Sequence, residues 1–343
     1  MPKIDFDTLD DEVAYAEPGQ RRSRPLSPYR AHKPKRNKWE VYASLEERPA
    51  PETGNSAALF LSPGLNVTNE ERAYLFEQLG PFHGGKLITG VLRRVKGGKE
   101  ANVYCCAAHP STGLELVAAK VYRPRQFRNL KNDSQYRQGR PVLNAEGQAI
   151  SQRDWRAHKA IQHKSRFGLR ATQTSWVAYE FQTLQRLYQA GVDVPQPLRN
   201  SQNALLMEYL GEVSLAAPTL HLISLPRDEA GPLFERLIRD VELMLANSCI
   251  HGDLSAYNVL YWEGEIKIID FPQVVDPRAN PDARAIFNRD VERLCQYFGR
   301  YGVRANAPAL ARDLWKQNQA RVREPEVATA TLSERTPDED GRG

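Results

Sequence analysis

Residues 251–270 constrain this chain of 343 residues more than any other stretch does. They hold Asp253 in a His-Gly-Asp triplet, Asn258 five residues later, and Asp270 after a strand–turn–strand pattern with a Glu-Gly turn. Short glycine-containing turns join antiparallel strands, so the pattern predicts a hairpin over 259–269 that brings Asn258 and Asp270 together. Amide and carboxylate oxygens suit Mg²⁺, and Asp253 can accept the proton of an attacking hydroxyl. The alternative is a polar loop before an ordinary hairpin.

The composition is that of a soluble globular protein, with 41% hydrophobic and 26% charged residues. There is no apolar run long enough to span a bilayer, and the first residues lack the apolar core of a signal peptide. We therefore expect a cytoplasmic protein without a membrane partner. The four cysteines show no metal-ligand spacing and are expected to be reduced: Cys105, Cys106, Cys249 and Cys295.

The net charge of +5 is unevenly distributed. Residues 21–38 contain arginines and lysines but no acid, within a segment rich in proline and charge. We predict that residues 1–62 form a disordered basic arm, either simply solvated or bound to RNA or another polyanion. The C-terminal residues 321–343 are expected to be a disordered tail.

A glycine-rich hairpin is predicted between strands at 87–95 and 103–107, where Lys99 follows two glycines. Adjacent glycines let backbone amides approach a phosphate, and Lys99 adds positive charge. The next strand, 116–122, holds Lys120 within an apolar run, which is costly unless the ammonium is paired. Glu180, in a helix predicted over 175–188, is the natural partner.

Residues 123–170 are basic and hydrophilic, and a connection of this length is expected to be a flexible flap. A buried strand over 203–210 ends at Gly211, and its backbone at 208–210 is placed to pair with an adenine edge. Further helices are predicted over 232–247, 285–298 and 308–319.

This order of elements resembles the protein-kinase-like fold and, more narrowly, the RIO family of atypical serine/threonine kinases and ATPases, closest to the branch named after the first RIO kinase. The segments that carry the resemblance are Lys96-Gly-Gly-Lys-Glu-Ala-Asn-Val-Tyr104, Ala119-Lys-Val-Tyr122, Ala217-Pro-Thr-Leu220, His251-Gly-Asp-Leu-Ser-Ala-Tyr-Asn258, Ile268-Ile-Asp270 and Phe287-Asn-Arg-Asp290-Val. A bacterial member is one option.

The resemblance implies an α+β, two-lobed fold with a small β-rich N-lobe, a mainly helical and reduced C-lobe, and no activation loop. The kinase domain would cover 63–320, with the N-lobe at 65–207, the hinge at 208–211 and the C-lobe at 212–320. ATP and Mg²⁺, with Mn²⁺ as the alternative ion, are the implied cofactors.

The resemblance also assigns roles to individual residues. The catalytic residues would be Asp253 and Asp270, the latter also a candidate phospho-acceptor, and the metal ligands would be Asn258 and Asp270. The ATP-binding residues would be Lys99, Glu100, Val103, Lys120, Glu180, Met207, Glu208 and Leu210.

Two departures from the family pattern are visible. Lys96-Gly97 replaces the usual Ser-Thr, and His251-Gly252 replaces His-Ala, a change of small residue expected to be harmless. In the sequence after Asp270 there is no Ala-Pro-Glu segment, which favours self-phosphorylation or ATP-driven switching over broad protein-kinase activity.

The expected function is therefore a Mg·ATP-dependent kinase or ATPase. Its substrate is itself or an unknown protein, with ribosomal RNA or the small ribosomal subunit as a candidate partner. Two alternatives stay open: a nucleotide-sensing module that docks on RNA through 21–38 and 123–170, and a small-molecule phosphotransferase. The short helical sequence after Asp290 argues against the second alternative.

Overall fold

The computed structural model describes residues 60–62, 65–98, 100–123, 140–151, 153–163 and 165–318. The disorder predicted for 1–59 and 321–343 lies outside these residues. The predicted end of the arm at residue 62 is wrong, because Phe60 and Leu61 are buried in a hydrophobic core. Leu61 also forms a bridge with Val91, so the folded part begins at or before residue 60.

A five-stranded antiparallel sheet forms the first part of the fold, in the order β1-β2-β3-β5-β4. Its strands are β1 (Ile88–Gly97), β2 (Ala101–Ala108), β3 (Leu116–Tyr122), β4 (Pro197–Asn200) and β5 (Ala204–Glu208). The sequence predicted four of these five strands and missed the short edge strand β4. The register pairs Val103 with Lys120 and Lys120 with Leu205, which places Lys120 in the centre of the sheet.

Helix α1 (Asn69–Gly84) covers one face of this sheet. The Thr68 hydroxyl accepts a hydrogen bond from the Glu71 amide at 3.2 Å, which satisfies a free N–H of the first turn. Leu75 and Leu79 are buried against the strands, so the apolar positions of the helix fix its face.

The region predicted as a flap is partly helical. Helix α2 (Trp155–Gln162) lies within it, and helix α3 (Arg166–Gln189) begins nine residues before the predicted start at 175. The prediction of a structureless connection over 123–170 is therefore wrong for its second half, while 124–139 lie outside the described residues. The pattern was missed because helix α2 is only eight residues long and buries only Ala157.

The second part of the fold is mainly helical. Helix α4 (Arg227–Ala246) leads to the hairpin of β6 (Val259–Trp262) and β7 (Glu265–Ile268), and helices α5 (Ala283–Gly299) and α6 (Ala307–Gln317) follow. The turn residues Glu263 and Gly264 have φ values of 49° and 84°, as a tight hairpin requires. Among the described helices, none has the length and apolarity needed to cross a bilayer.

Candidate active site

Lys120 joins the two parts of the fold. Its Nζ atom lies 2.8 Å from Oε1 of Glu180 on α3 and 2.7 Å from Oδ1 of Asp270 after β7. Glu180 is 2% exposed, and its other oxygen accepts a hydrogen bond from the hydroxyl of Tyr122. The predicted pairing of Lys120 with Glu180 is confirmed, and a third partner, Asp270, connects this lysine to a residue predicted to hold the metal.

The charges of this cluster stabilise one another. Burial alone would lower the pKa of Lys120, but the negative charges of Asp270 and Glu180 raise it well above the usual value. Desolvation opposes ionisation of Asp270, yet the Lys120 ammonium outweighs it and lowers the pKa of this carboxyl. Lysine cation and aspartate anion are therefore the forms present near neutral pH.

Asn258 and Asp270 come together as the predicted hairpin requires. The Ile269 amide donates to the Asn258 carbonyl at 2.9 Å, which holds Asn258 opposite the residue that precedes Asp270. The Asn258 side-chain amide donates to the Asp253 carbonyl at 2.9 Å and lies 3.4 Å from Oδ2 of Asp253. A single network thus links the three residues that sequence reasoning selected.

His251 connects the loop of Asp253 to the loop of Asp270. Its Nε2 atom lies 3.1 Å from the Ile269 carbonyl, which can only accept, while Nδ1 accepts from the Asp253 amide at 3.3 Å. In these two contacts Nε2 is therefore the donor and Nδ1 the acceptor. It is 1% exposed and packs against Phe271.

Gly252 lies where both its backbone conformation and a neighbouring carbonyl disfavour a side chain, while the expectation that glycine in place of alanine is harmless stays a prediction. Its φ of 85° is one that residues with a side chain rarely adopt. An added Cβ would lie 2.3 Å from the Gln273 carbonyl oxygen, well inside van der Waals contact. The Gly252 amide donates to Oδ2 of the buried Asp290 at 2.8 Å, which fixes the turn.

Arginines complete the site, and sequence reasoning missed them. Arg293 on α5 places Nη1 at 2.7 Å from Oδ1 of Asp253, and Arg289 donates to the Gly252 carbonyl. Arg140, just after the undescribed part of the flap, donates to the Pro272 carbonyl at 3.1 Å and stacks on the Tyr179 ring. The only sequence signal was their position in segments already singled out.

The glycine-rich hairpin lies beside this cluster. Gly98 makes a tight turn with Ala101, where an added Cβ would lie 2.8 Å from the Ala101 carbonyl oxygen. Lys96, which replaces a hydroxyl residue of the family pattern, adds positive charge that lowers the pKa of Asp270. Lys99 lies outside the described residues. The backbone carbonyl of Glu100 accepts a hydrogen bond from the Arg123 amide. Val103 is half-buried and pairs with Lys120 on the neighbouring strand.

The hinge backbone is already partly engaged. The Glu208 amide donates to the Gln196 carbonyl at 2.8 Å, and the Leu210 carbonyl accepts from the Ala217 amide at 3.0 Å. The Glu208 carboxylate accepts from the Gln196 amide at 3.0 Å. Met207, on β5, pairs with Ala118 and contacts the larger hydrophobic core.

The residues present fit a hard divalent cation. Asp270 offers a carboxylate, of which Oδ1 pairs with Lys120, and Asn258 offers an amide oxygen because its nitrogen is the atom that donates to Asp253. Oxygen ligands of this type are those that Mg²⁺ and Mn²⁺ prefer. Within the described ranges there is no cluster of three or more histidine, cysteine or acidic residues suited to a metal.

The sequence was compared with known families and proteins. Residues 102–310, more than half of the chain, match the model of the RIO domain. The RIO-type serine/threonine-protein kinase Rio1 of Haloferax volcanii is 29% identical over 63% of this chain and 66% of its own length. The serine/threonine-protein kinase RIO1 of Chaetomium thermophilum is 28% identical over 63% of this chain and 41% of its own. The Rio1 kinase of Thermoplasma acidophilum is 33% identical over 37% of this chain and 66% of its own.

The match includes Lys120, Glu180, Asp253, Asn258 and Asp270, and it begins just after the turn of the glycine-rich hairpin. The α+β architecture with its antiparallel sheet and six described helices is the protein-kinase-like fold expected of this domain. The chain covers 66% of the length of the first of these relatives and 41% of the length of the second. The chain belongs to the RIO family.

Proposed function

We propose that this chain transfers the γ-phosphoryl group of ATP as a RIO-type serine/threonine kinase or ATPase. The observation that carries the proposal is Lys120 held between Glu180 and Asp270, across from Asp253 and Asn258. A buried ammonium paired with two carboxylates positions and neutralises phosphate oxygens. The names of the relatives, all kinases of this type, support the same activity.

In this proposal each residue has one role. Asp253 accepts or orients the proton of the attacking hydroxyl or water, and Lys120 contacts phosphate while Glu180 fixes its position. Asn258 and Asp270 would hold Mg²⁺ or Mn²⁺, which neutralises charge that develops on the phosphate oxygens. Lys99, Glu100 and Val103 would line the phosphates.

At the hinge, we assign the Glu208 carbonyl and the Leu210 amide to the adenine edge. The Glu208 amide and the Leu210 carbonyl already form hydrogen bonds within the protein. Of the backbone groups at 208–210 that the sequence offered for adenine, these two are therefore left out. Met207 would contact the base through its side chain. This choice gives one acceptor and one donor, as the adenine edge requires.

The acceptor of the phosphoryl group is the chain itself or an unknown protein, and Asp270 is a second candidate acceptor. Labelled protein from wild type and Asp270→Asn would be treated with hydroxylamine, which cleaves acyl phosphates. Label that resists hydroxylamine and persists in Asp270→Asn would contradict the acyl-phosphate proposal. Ribosomal RNA or the small ribosomal subunit is the proposed partner, and a cytoplasmic location stays a prediction from sequence.

The test of the main proposal is release of γ-phosphate and self-labelling from ATP with Mg²⁺. Wild type would be compared with Asp253→Ala, with and without RNA, and ATP binding would be measured in parallel. Turnover that depends on Asp253 supports the enzyme. Tight ATP binding with no Asp253-dependent turnover would instead support the nucleotide-sensing module.

A further inference from the structure

Helices α2 and α3 present an exposed surface outside the candidate active site. Trp155 is 61% exposed and Phe167 is 63% exposed, the two highest values among the exposed large hydrophobic residues described. They lie among exposed basic side chains. We define the α2–α3 surface by Arg153, Trp155, Arg156, Lys159, Arg166 and Phe167.

The charge of this region is nearly all of one sign. Residues 147–179 contain six lysines and arginines (153, 156, 159, 164, 166 and 170) and one acid, Asp154. That acid caps helix α2, since its Oδ1 accepts from the Ala157 amide at 3.1 Å. Its charge is thus directed at the helix end, and the surface keeps a strongly positive balance.

The aromatic and basic groups are interleaved. The Arg156 guanidinium lies 5.7 Å from the centroid of the Trp155 ring and the Lys159 ammonium 5.8 Å from it. Cations this close to an exposed indole can bind phosphates on either side of a base stacked on the ring. The arrangement is therefore a stacking platform flanked by phosphate-binding groups.

The platform is held in place by a close helix contact. Gly168, in the first turns of α3, is buried against α2, where an added Cβ would lie 2.0 Å from the Ala160 carbonyl oxygen. The Ser165 amide and hydroxyl both donate to that carbonyl, at 3.1 and 3.2 Å. Trp155 and Phe167 therefore project from one packed helical hairpin.

We propose that the α2–α3 surface binds single-stranded RNA. Positive charge attracts the phosphate backbone, and exposed aromatic rings stack on unpaired bases, whereas a duplex keeps its bases inaccessible. An anionic membrane is a poorer fit, because helix α2 places two cations, Arg156 and Lys159, directly beside its exposed indole.

This binding is separate from phosphoryl transfer. Arg166 and Glu180 are fourteen residues apart on α3, or about 21 Å along the helix axis. The inference rests on the RNA-partner part of the proposed function and not on catalysis. RNA binding should therefore persist in Asp253→Asn, even though turnover is lost.

The test uses the full chain and a fluorescein-labelled single-stranded RNA of about 15 nucleotides, with affinity measured by anisotropy at several salt concentrations. We expect Trp155→Ala to weaken binding about tenfold, as the loss of one stacked base does. The double variant Arg156→Glu, Lys159→Glu should weaken it more. It should also reduce the magnitude of the salt slope by about 1.4, at about 0.7 per lost phosphate contact.

Matched controls are Tyr188→Ala, an exposed aromatic at the other end of α3, and Arg304→Glu, an exposed arginine elsewhere. Both should bind RNA like wild type, and circular dichroism should show all variants folded. A photo-crosslink from 4-thiouridine RNA, mapped by mass spectrometry, should fall within 153–170. The proposal is overturned if crosslinks fall only within 1–59, or if the surface variants bind RNA as wild type does. It is also overturned if those variants lose only binding to vesicles of phosphatidylserine and phosphatidylcholine.

Discussion

Arg293 Nη1 lies 2.7 Å from Oδ1 of Asp253, so the proposed catalytic aspartate is held by an ion pair from helix α5. Oδ2 of the same carboxylate lies 3.4 Å from the Asn258 side-chain amide. This contact is longer than the one between Oδ1 and Arg293. Both side chains of the ion pair are partly exposed, at 39% and 45%, so the pair is open to a substrate. We propose that Arg293 is a positioning residue, which holds Oδ1 of Asp253 and leaves Oδ2 for the substrate hydroxyl.

We expect Arg293→Ala to lower kcat about tenfold with little change in the KM for ATP, because one charge-assisted hydrogen bond of about 1.4 kcal/mol is lost. Arg293→Lys should recover part of the loss, since it keeps the charge without the planar fork. Steady-state ATP turnover measures both values. Arg300→Ala, an exposed arginine after the same helix, is the control. Equal kcat in wild type and Arg293→Ala would exclude the positioning role.

Lys120 is expected to be needed for turnover and not for folding alone. Lys120→Met removes the ammonium between Glu180 and Asp270 and should reduce turnover on the order of 10²-fold. Glu180→Gln leaves the lysine paired with Asp270 and should reduce turnover less. Phosphate release at saturating ATP measures both effects, and thermal unfolding reports whether either variant fails to fold. The opposite order of the two effects would contradict the arrangement described.

Gly252 provides a test of the loop geometry with a matched control. Gly252 and Gly264 have φ values of 85° and 84°, but only Gly252 has backbone atoms where a Cβ would stand. Both substitutions by alanine carry the conformational cost of about 1–2 kcal/mol. Gly252→Ala adds the clash with the Gln273 carbonyl, and should destabilise by roughly 1–2 kcal/mol more.

Chemical denaturation of the two glycine variants gives the difference in the free energy of unfolding. We also expect Gly252→Ala to lose turnover, because the loop that holds Asp253 must shift, while Gly264→Ala keeps it. If the two variants lose the same stability and keep the same activity, the closeness of Gly252 to the Gln273 carbonyl affects neither stability nor turnover.

The parts of the site that could be predicted are those with a local pattern or a large desolvation cost. The hairpin that joins Asn258 to Asp270 follows from alternation and a Glu-Gly turn, and the Lys120–Glu180 pair follows from a lysine inside an apolar strand. Arg293 could not be predicted in the same way. It meets Asp253 across 40 residues, and an arginine on a partly exposed helix face carries no signal of its partner.

Two further differences have physical causes. Helix α2 is eight residues long and buries only Ala157, so it is shorter than the stretch over which hydrophobic periodicity distinguishes a helix from a polar connection. The steric constraint at residue 252 comes from the Gln273 carbonyl, 21 residues later in the chain, and no local sequence pattern reveals that contact. In the case of residue 252, a tertiary contact and not local sequence preference sets the constraint.

Asp240 should make the stability of the protein depend on pH. It is fully buried, Oδ1 accepts from the Asp193 amide at 3.2 Å, and Oδ2 has no hydrogen-bond partner among the described residues. Burial first, and then the negative charge of Asp193, raises the pKa of Asp240 to about 7, although Arg236 and Arg239 act against them. The folded state therefore holds a proton that the unfolded state releases near pH 4.

Stability from this group is fully present below about pH 4 and decreases as the pH rises to about 7, because only the unfolded chain ionises freely in that range. Asp240→Asn keeps the acceptor for the Asp193 amide and cannot ionise. We expect the stability of the variant relative to wild type to rise between pH 4 and pH 7 by on the order of 1–3 kcal/mol and then to level off. Urea unfolding at several pH values measures this difference, with Asp313→Asn, an exposed aspartate on α6, as the control. A difference between Asp240→Asn and wild type that does not change with pH would show that Asp240 is ionised in the folded protein throughout this range.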